Sequence, residues 1–247
     1  FVGHTDQIWD VAFSPDGERI ASAGADGDII FWDTRSGERV ATLPDVGFEI
    51  NRIAISPNGK WLAAVGDNYA IRVWTLENLE QNPSAAHPVS IPIEGAQSLF
   101  AVTFSPDSQR LAAGGSDNRI YSWETADWSP AGEFAGHQGH IESLSYSPDG
   151  AMLASASSDR TINLWATATG AVLKTLRSHE TNSALVSCVA FSHDGRRLVS
   201  CGLQDERSLV WDTETGEQLA ELQGHQNWVQ GASFSSDDSL IATACKD

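Results

Sequence analysis

The sequence predicts an all-β protein assembled from repeated four-stranded antiparallel units, and three observations carry that expectation. First, one stretch recurs. GHTDQIWDVAFSPDG at residues 3–17 returns as INRIAISPNG (50–59), LFAVTFSPDS (99–108), IESLSYSPDG (141–150), VSCVAFSHDG (186–195) and VQGASFSSDD (229–238). The turn serines Ser14, Ser56, Ser105, Ser147, Ser192 and Ser235 are spaced 42, 49, 42, 45 and 43 residues apart, a period typical of repeat architectures. Second, apolar runs of about four to eight residues are separated by turn residues, with no sustained helical period. Third, a tryptophan follows each of the first five turns: Trp32, Trp74, Trp123 and Trp165 come 18 residues later and Trp211 comes 19 later.

Within one unit the elements can be justified in order. The fourth reads HIESLSYS, the turn PDG, AMLASAS, the turn SDR, TINLWAT, the turn ATG and AVLKTL, which is four strands and three tight turns. Pro presets φ, Asp bonds nearby backbone N–H groups and Gly tolerates positive φ, so Pro-Asp-Gly suits a turn. In each first strand the alternation slips once: Val11 and Phe13 are two apart, but Ile8 is three residues, not two, before Val11, and the slip repeats at Ile50/Ile53/Ile55, Leu99/Val102/Phe104, Ile141/Leu144/Tyr146, Val186/Val189/Phe191 and Val229/Ala232/Phe234. A β-bulge at one shared position accounts for it. The units run over 1–46, 47–93, 94–134, 135–176, 177–222 and 223–247, the last incomplete. Phe1-Val2 reads as the tail of a fourth strand, and a continuation such as G-x-I-x-x-W-D is expected to follow residue 247.

Composition narrows the function classes. The 247 residues are 41% hydrophobic and 19% charged, with nine Trp, a folded and not a disordered composition. No apolar run approaches a membrane span of about 18 residues, so no membrane partner is expected. A net charge of −18 repels a phosphate backbone, so no nucleic acid is expected either, and basic or neutral partners fit better. Cys188, Cys201 and Cys245 show neither the even number nor the C-x-x-C spacing of a disulfide framework or thiolate zinc site; they are expected to be buried, inert thiols in a cytoplasmic protein.

The period, the four strands, Gly-His before the first strand (Gly3-His4, Gly136-His137, Gly224-His225, with Ser178-His179 as a weaker copy) and Trp-Asp ending the third (Trp32-Asp33, Trp211-Asp212) resemble the WD-repeat β-propellers. The resemblance covers essentially the whole chain. It implies a β-propeller of four-stranded antiparallel blades, five essentially full and a partial sixth. It also implies a hydrogen-bonded structural set in each blade: His4, Ser22, Asp26 and Trp32; His137, Ser155, Asp159 and Trp165; His179, Ser200, Asp205 and Trp211; and His225, Thr243 and Asp247 without its Trp. The second and third units depart. Neither has the His, Ala64 and Ala113 replace the hydroxyl, and Asn68 replaces the second unit's Asp.

The same residues also suggest sharper chemistry. A His-Asp-Ser hydrolase needs one activated serine in one cleft, and repeated copies argue against it, so no catalytic residue is assigned. His137-x-x-His140 lacks a third ligand nearby in sequence, and Ala25-Asp26-Gly27-Asp28 lacks the later bidentate Glu of a calcium loop, so no metal and no cofactor are expected. Residues 77–93, with Pro83, Pro88 and Pro92, read as an inserted loop after a third strand.

In the propeller family the loops before first strands and after second strands form the end that holds partners. On that basis the partner-binding residues are expected to be Gln7, Trp9, Glu49, Asn51, Asp67, Ser98, Phe100, His140, Glu142, Trp228 and Gln230. Trp9, Phe100 and Trp228 are the expected anchors, because large aromatics dominate interface hot spots. The function this implies is a non-catalytic scaffold or sensor module that binds a protein or peptide. Such a module is expected to be part of a larger multidomain regulatory protein, with covalently attached effector domains outside this chain. The alternative is a propeller enzyme, or a small-molecule or metal-binding protein, that uses the central channel.

Overall fold

Alternating apolar residues broken by Ser-Pro-Asp-Gly turns give the chain its strands. The computed structural model describes residues 2–77, 87–95, 97–177, 185–203 and 206–247. The first sheet contains β1 (Ile8–Phe13), β2 (Arg19–Gly24), β3 (Ile29–Asp33) and β4 (Arg39–Leu43); the second β5 (Ile50–Ile55), β6 (Trp61–Gly66), β7 (Ala70–Thr75) and β8 (Val89–Pro92); the third β9 (Leu99–Phe104), β10 (Arg110–Gly115), β11 (Arg119–Glu124) and β12 (Pro130–Ala135). The fourth holds β13 (Ile141–Tyr146), β14 (Met152–Ser157), β15 (Ile162–Ala166) and β16 (Val172–Leu176), and the fifth β17 (Val186–Phe191), β18 (Arg197–Gly202), β19 (Ser208–Asp212) and β20 (Gln218–Leu222). A sixth has only β21 (Val229–Phe234) and β22 (Ile241–Cys245). In every sheet each strand pairs with its chain neighbour. The fold class is therefore the expected one: β-propeller blades, five of four antiparallel strands and one of two.

The turn between first and second strands repeats atom by atom. In the fourth blade the Gly150 amide donates to the Ser147 carbonyl, the Met152 amide to Ser147 Oγ, and the Ala151 amide to Asp149 Oδ1. Ser14 and Asp16 make the same bonds to Arg19 and Glu18. Gly17 and Gly150 both sit at φ 71°, where a side chain would be strained. The bulge lies where the sequence placed it in every sheet whose register is defined: between Ile8 and Asp10, Ile50 and Arg52, Ile141 and Ser143, Val186 and Cys188, and Val229 and Gly231.

The chain divides into two compact units, Phe1–Ala113 with Ser122–Ala131, and Gly114–Tyr121 with Gly132–Asp247. In the first, β5 packs across β1 and β2, and small Ala21 and Ala23 let Ile50 and Ile53 of the next blade close over Ile29, Phe31 and Leu43. In the second, Ala154, Ala156 and Leu164 meet Val186, Val189 and Phe191 in the same way. Burying each such large side chain contributes about 1.5–3 kcal/mol, so blade-to-blade packing is the main term holding each unit.

Three features differ from the sequence reading. Ile8, Val11 and Phe13 on β1 are 51%, 56% and 64% exposed, although their counterparts Ile50 and Ile53 are buried against the first blade. Part of the expected 77–93 loop, Val89–Pro92, is the fourth strand of the second blade, paired with β7. Its outer position explains why Pro92 is tolerated, since an edge strand has no further partner needing that missing N–H. Of the remainder, residues 78–86 lie outside the described residues. Finally, Cys188 and Cys201 are not separate thiols but a disulfide, and Cys245 is half-buried. They face each other directly across β17 and β18, a pairing that spacing along the chain does not display.

Candidate functional site

The opening stretch contains the ingredients of a hydrolase, and the structure arranges them in that order. His4 Nδ1 lies 2.9 Å from Asp26 Oδ2, His4 Nε2 lies 2.7 Å from Ser22 Oγ, and Trp32 Nε1 donates to the same Oγ at 2.7 Å. The fourth blade repeats it: His137 Nδ1 to Asp159 at 2.8 Å, Nε2 to Ser155 Oγ at 2.7 Å, and Trp165 Nε1 to Ser155 at 2.7 Å. All bonds are satisfied when Nδ1 carries the imidazole proton: Trp N–H donates to the serine oxygen, the serine O–H to Nε2, and Nδ1–H to the carboxylate. A catalytic serine needs a free approach to its oxygen. Ser22 is 4% and Ser155 0% exposed, and the tryptophan already occupies the oxygen. The geometry is that of a relay, and its placement is that of an internal brace.

The carboxylates show the same engagement. Burial raises the Asp159 pKa, but bonds from His137, Thr161 and the Gln138 amide outweigh it and hold the group well below the usual carboxylate range. Asp26 is likewise lowered: bonds from the Thr5 and Asp28 amides and His4 overcome its desolvation. Asp28 Oδ1 accepts the Asp45 amide at 2.8 Å, so this acidic turn has its carboxylates committed to the chain. In the fifth blade Trp211 Nε1 donates to Ser200 Oγ at 2.9 Å; His179 and Asp205 lie outside the described residues. In the sixth, His225 meets Asp247 at 3.2 Å and Thr243 at 2.8 Å. His225, Cys245 and Asp247 place possible ligand atoms within 4.8 Å of one another, with the two ring nitrogens of His225 bonded to Asp247 and Thr243.

The second blade lacks this brace. Both amide atoms of Asn68 are buried without a hydrogen-bond partner, as is Arg72 Nε. Val46, Ala64 and Asn68 stand where the first blade has His4, Ser22 and Asp26, so nothing remains to bind the amide.

The candidate partner residues fall at the starts of the first strands, with Asp67 in the turn after β6, and each unit presents its own group. In the first unit Trp9 is 44% exposed and Gln7, Glu49 and Asp67 are exposed. Arg52 Nη1 donates to the Trp9 carbonyl at 3.3 Å and lies 3.9 Å from Asp10. Burial pushes the Asp10 pKa up, against the pull of Arg52 and the Ile53 amide. Asn51 Nδ2 donates to Asp67 Oδ1 and the Leu99 carbonyl, tying the second and third blades, while Ser98 and Phe100 are half-buried. In the second unit His140 and Gln230 are exposed and Glu142 is half-buried. Trp228 is 42% exposed, with Lys246 Nζ 5.2 Å over its ring.

Sequence reasoning missed Tyr69. It is 60% exposed beside Asp67 and sits at φ 59°, a left-handed backbone that costs a non-glycine residue about 1–2 kcal/mol. The same turn position is left-handed in other blades, at Gly27, Asn118 and Arg160, so the backbone marks the turn, and it is the exposed ring that sets Tyr69 apart.

Comparison with known proteins agrees with the blade count. The family model described as WD domain, G-beta repeat matches residues 1–33, 37–75, 89–124, 128–166, 170–212 and 216–247. Among curated proteins, the chain is 39% identical over 129 residues to the small ribosomal subunit protein RACK1 of Caenorhabditis elegans, covering 49% of this chain and 38% of that protein. It is 38% identical over 128 residues to the protein of the same name from Candida albicans, covering 50% of this chain and 39% of the relative. The matched region thus spans about two fifths of either relative. Among the described residues no helix is long and apolar enough to cross a membrane.

Proposed function

The chain belongs to the WD-repeat family, and from that premise we propose that it is a non-catalytic interaction scaffold that holds a basic protein or peptide segment at the bulged ends of its first strands. The observation that carries this reading is the surface of the first unit around Trp9 and Tyr69. Two exposed rings lie on the same bulged and turn ends as exposed Glu49 and Asp67, in a chain of net charge −18. Aromatic faces attract lysine and arginine side chains, and the carboxylates add to the field. The Lys246–Trp228 pair supports the same chemistry, because there the chain's own ammonium covers the exposed indole. The internal braces support a non-catalytic role, since their serines have no open approach. The relatives are named as ribosomal subunit proteins, components of a large assembly, which favours a cytoplasmic scaffold.

The test is retention of partners from a cell extract by immobilised chain, read by mass spectrometry and repeated with a Lys/Arg-rich competitor peptide. Trp9→Ala is expected to lose those partners at least tenfold, on the scale of a truncated hot spot of about 2 kcal/mol, with an unchanged melting temperature. Retention of the same partners by Trp9→Ala, or indifference to the basic competitor, would refute the assignment of the surface.

A further inference from the structure

One register position of the fifth blade differs from its counterparts. The first pair after the bulge is Asp10–Ala23 in the first blade, Arg52–Val65 in the second, Ser143–Ala156 in the fourth and Gly231–Ala244 in the sixth. In the fifth it is Cys188–Cys201, with Cα atoms 5.1 Å apart and the sulfurs joined. That separation lies inside the range a disulfide spans without moving the backbone. We propose that this pair is a thiol–disulfide exchange site, opened by small thiols and closed by small disulfides, and that its state sets the rigidity of the rim at Trp228. The exchange stands independently of the docking reading; only its consequence for a bound partner rests on that reading.

The surroundings give the two sulfurs different roles. Cys201 is 0% and Cys188 6% exposed, and Ser208 Oγ donates to Cys201 Sγ at 3.8 Å. An incoming small thiolate therefore attacks Cys188 Sγ. The S–S bond breaks, and its electron pair leaves on Cys201 Sγ, where the serine hydroxyl stabilises the thiolate until it takes a proton. A second small thiol then attacks the mixed disulfide and releases the Cys188 thiol, so two small thiols are oxidised to one small disulfide as the protein disulfide is reduced. Ser208 acts here as a positioning residue.

The route to the rim is short. Ser187, inside the bulge next to Cys188, bonds through Oγ to the Cys201 carbonyl at 3.2 Å and to the Val229 carbonyl of the sixth blade at 2.8 Å. Val229 shares one buried cluster with the two cysteines and directly follows Trp228. The cross-link holds the two strands that position Ser187, and Ser187 holds the strand that carries the indole.

The test begins with chain purified without reductant and treated with oxidised glutathione, then unfolded in alkylating agent and weighed. One alkylated cysteine, Cys245, is expected, and three after dithiothreitol; three in both would overturn the proposal. Amide hydrogen exchange on the folded chain is the second readout. Reduction is expected to speed exchange at residues 186–189 and 229–231 about tenfold by local opening, and to do nothing in the Cys188→Ala/Cys201→Ala variant. Unchanged exchange on reduction would overturn the link to the rim. Ser208→Ala should slow reduction and Ser208→Thr restore it, whereas equal rates would remove Ser208 from the exchange step.

Discussion

Substituting Asp159 tests whether the His-Ser-Asp-Trp brace holds the fourth blade. Its carboxylate accepts four bonds: His137 Nδ1 at 2.8 Å, the Gln138 amide at 2.8 Å, the Thr161 amide at 2.9 Å and Thr161 Oγ1 at 2.6 Å. The His137 side chain is fully buried, so Asp159→Ala strands an imidazole N–H, a penalty of about 1–3 kcal/mol. Thr161 Oγ1, 3.2 Å from Nδ1, can take up part of it. The two amides lose bonds as well but lie nearer solvent, and their loss brings the expected total to about 2–3 kcal/mol. At about 2–4 °C per kcal/mol for a chain of this size, differential scanning calorimetry should show a transition lowered by about 4–12 °C. Asn68→Ala is the matched control. It occupies the same turn position in the second blade, where both amide atoms have no partner to lose, so its effect should stay within about 0.5 kcal/mol of zero or stabilise slightly. Equal losses at the two positions, or an unmoved transition in Asp159→Ala, would refute the claim that the bonds and not the turn position carry the stability.

Two further outcomes follow from the same geometry. Because the folded pKa of Asp159 lies below the unfolded value of about 3.9, the group stabilises the fold fully above about pH 4 and less as pH falls through the depressed value. The melting difference between wild type and Asp159→Asn should therefore be largest near neutrality and shrink below about pH 4, and a constant difference across that range would contradict the assignment. At Gly24 an added Cβ would sit 1.9 Å from the Gln7 carbonyl oxygen, so Gly24→Ala should cost about 1–3 kcal/mol through forced backbone movement, measurable by urea denaturation.

The parts of the fold that were legible in the sequence are those the chain repeats. The Ser-Pro-Asp-Gly turns and first-strand bulges could be read because six copies in register leave a local pattern little other explanation. Features specified by contacts across strands were not legible. The third-to-fourth-strand irregularities at Phe31/Trp32, Leu164/Trp165 and Val210/Trp211 leave no mark in the apolar spacing. The Cys188–Cys201 bridge depends on a register that the bulge itself shifts. Glycine placement follows the same rule: Gly24 and Gly66 clear the approach of the Gln7 and Glu49 carbonyls, whereas the fourth blade has Ser157 there and moves the glycine to Gly139, where a Cβ would meet the Asp159 amide at 2.6 Å. The two placements clear different contacts, so a glycine's position alone does not reveal which approach it serves.

Repetition has the opposite effect on function. A brace residue such as His137 gains support from every other blade that carries it, while a residue that meets a partner occurs once and has no copy to vouch for it. Trp9 has Asn51 and Phe100 at its equivalent positions, Tyr69 has Gly27 and Asn118, and the cysteine pair has alanine or valine opposite a polar residue or glycine. Departure alone is not enough, because Asn68 departs too and leaves only unpaired atoms. What separates Tyr69 from Asn68 is exposure: the ring is 60% exposed, whereas the Asn68 amide is buried. In a repeat protein the informative departures are therefore those that present their chemistry at the surface. By that criterion Trp9 and Tyr69, and not the histidine-serine-aspartate sets, are the positions at which substitution should change what the chain binds without changing how it folds.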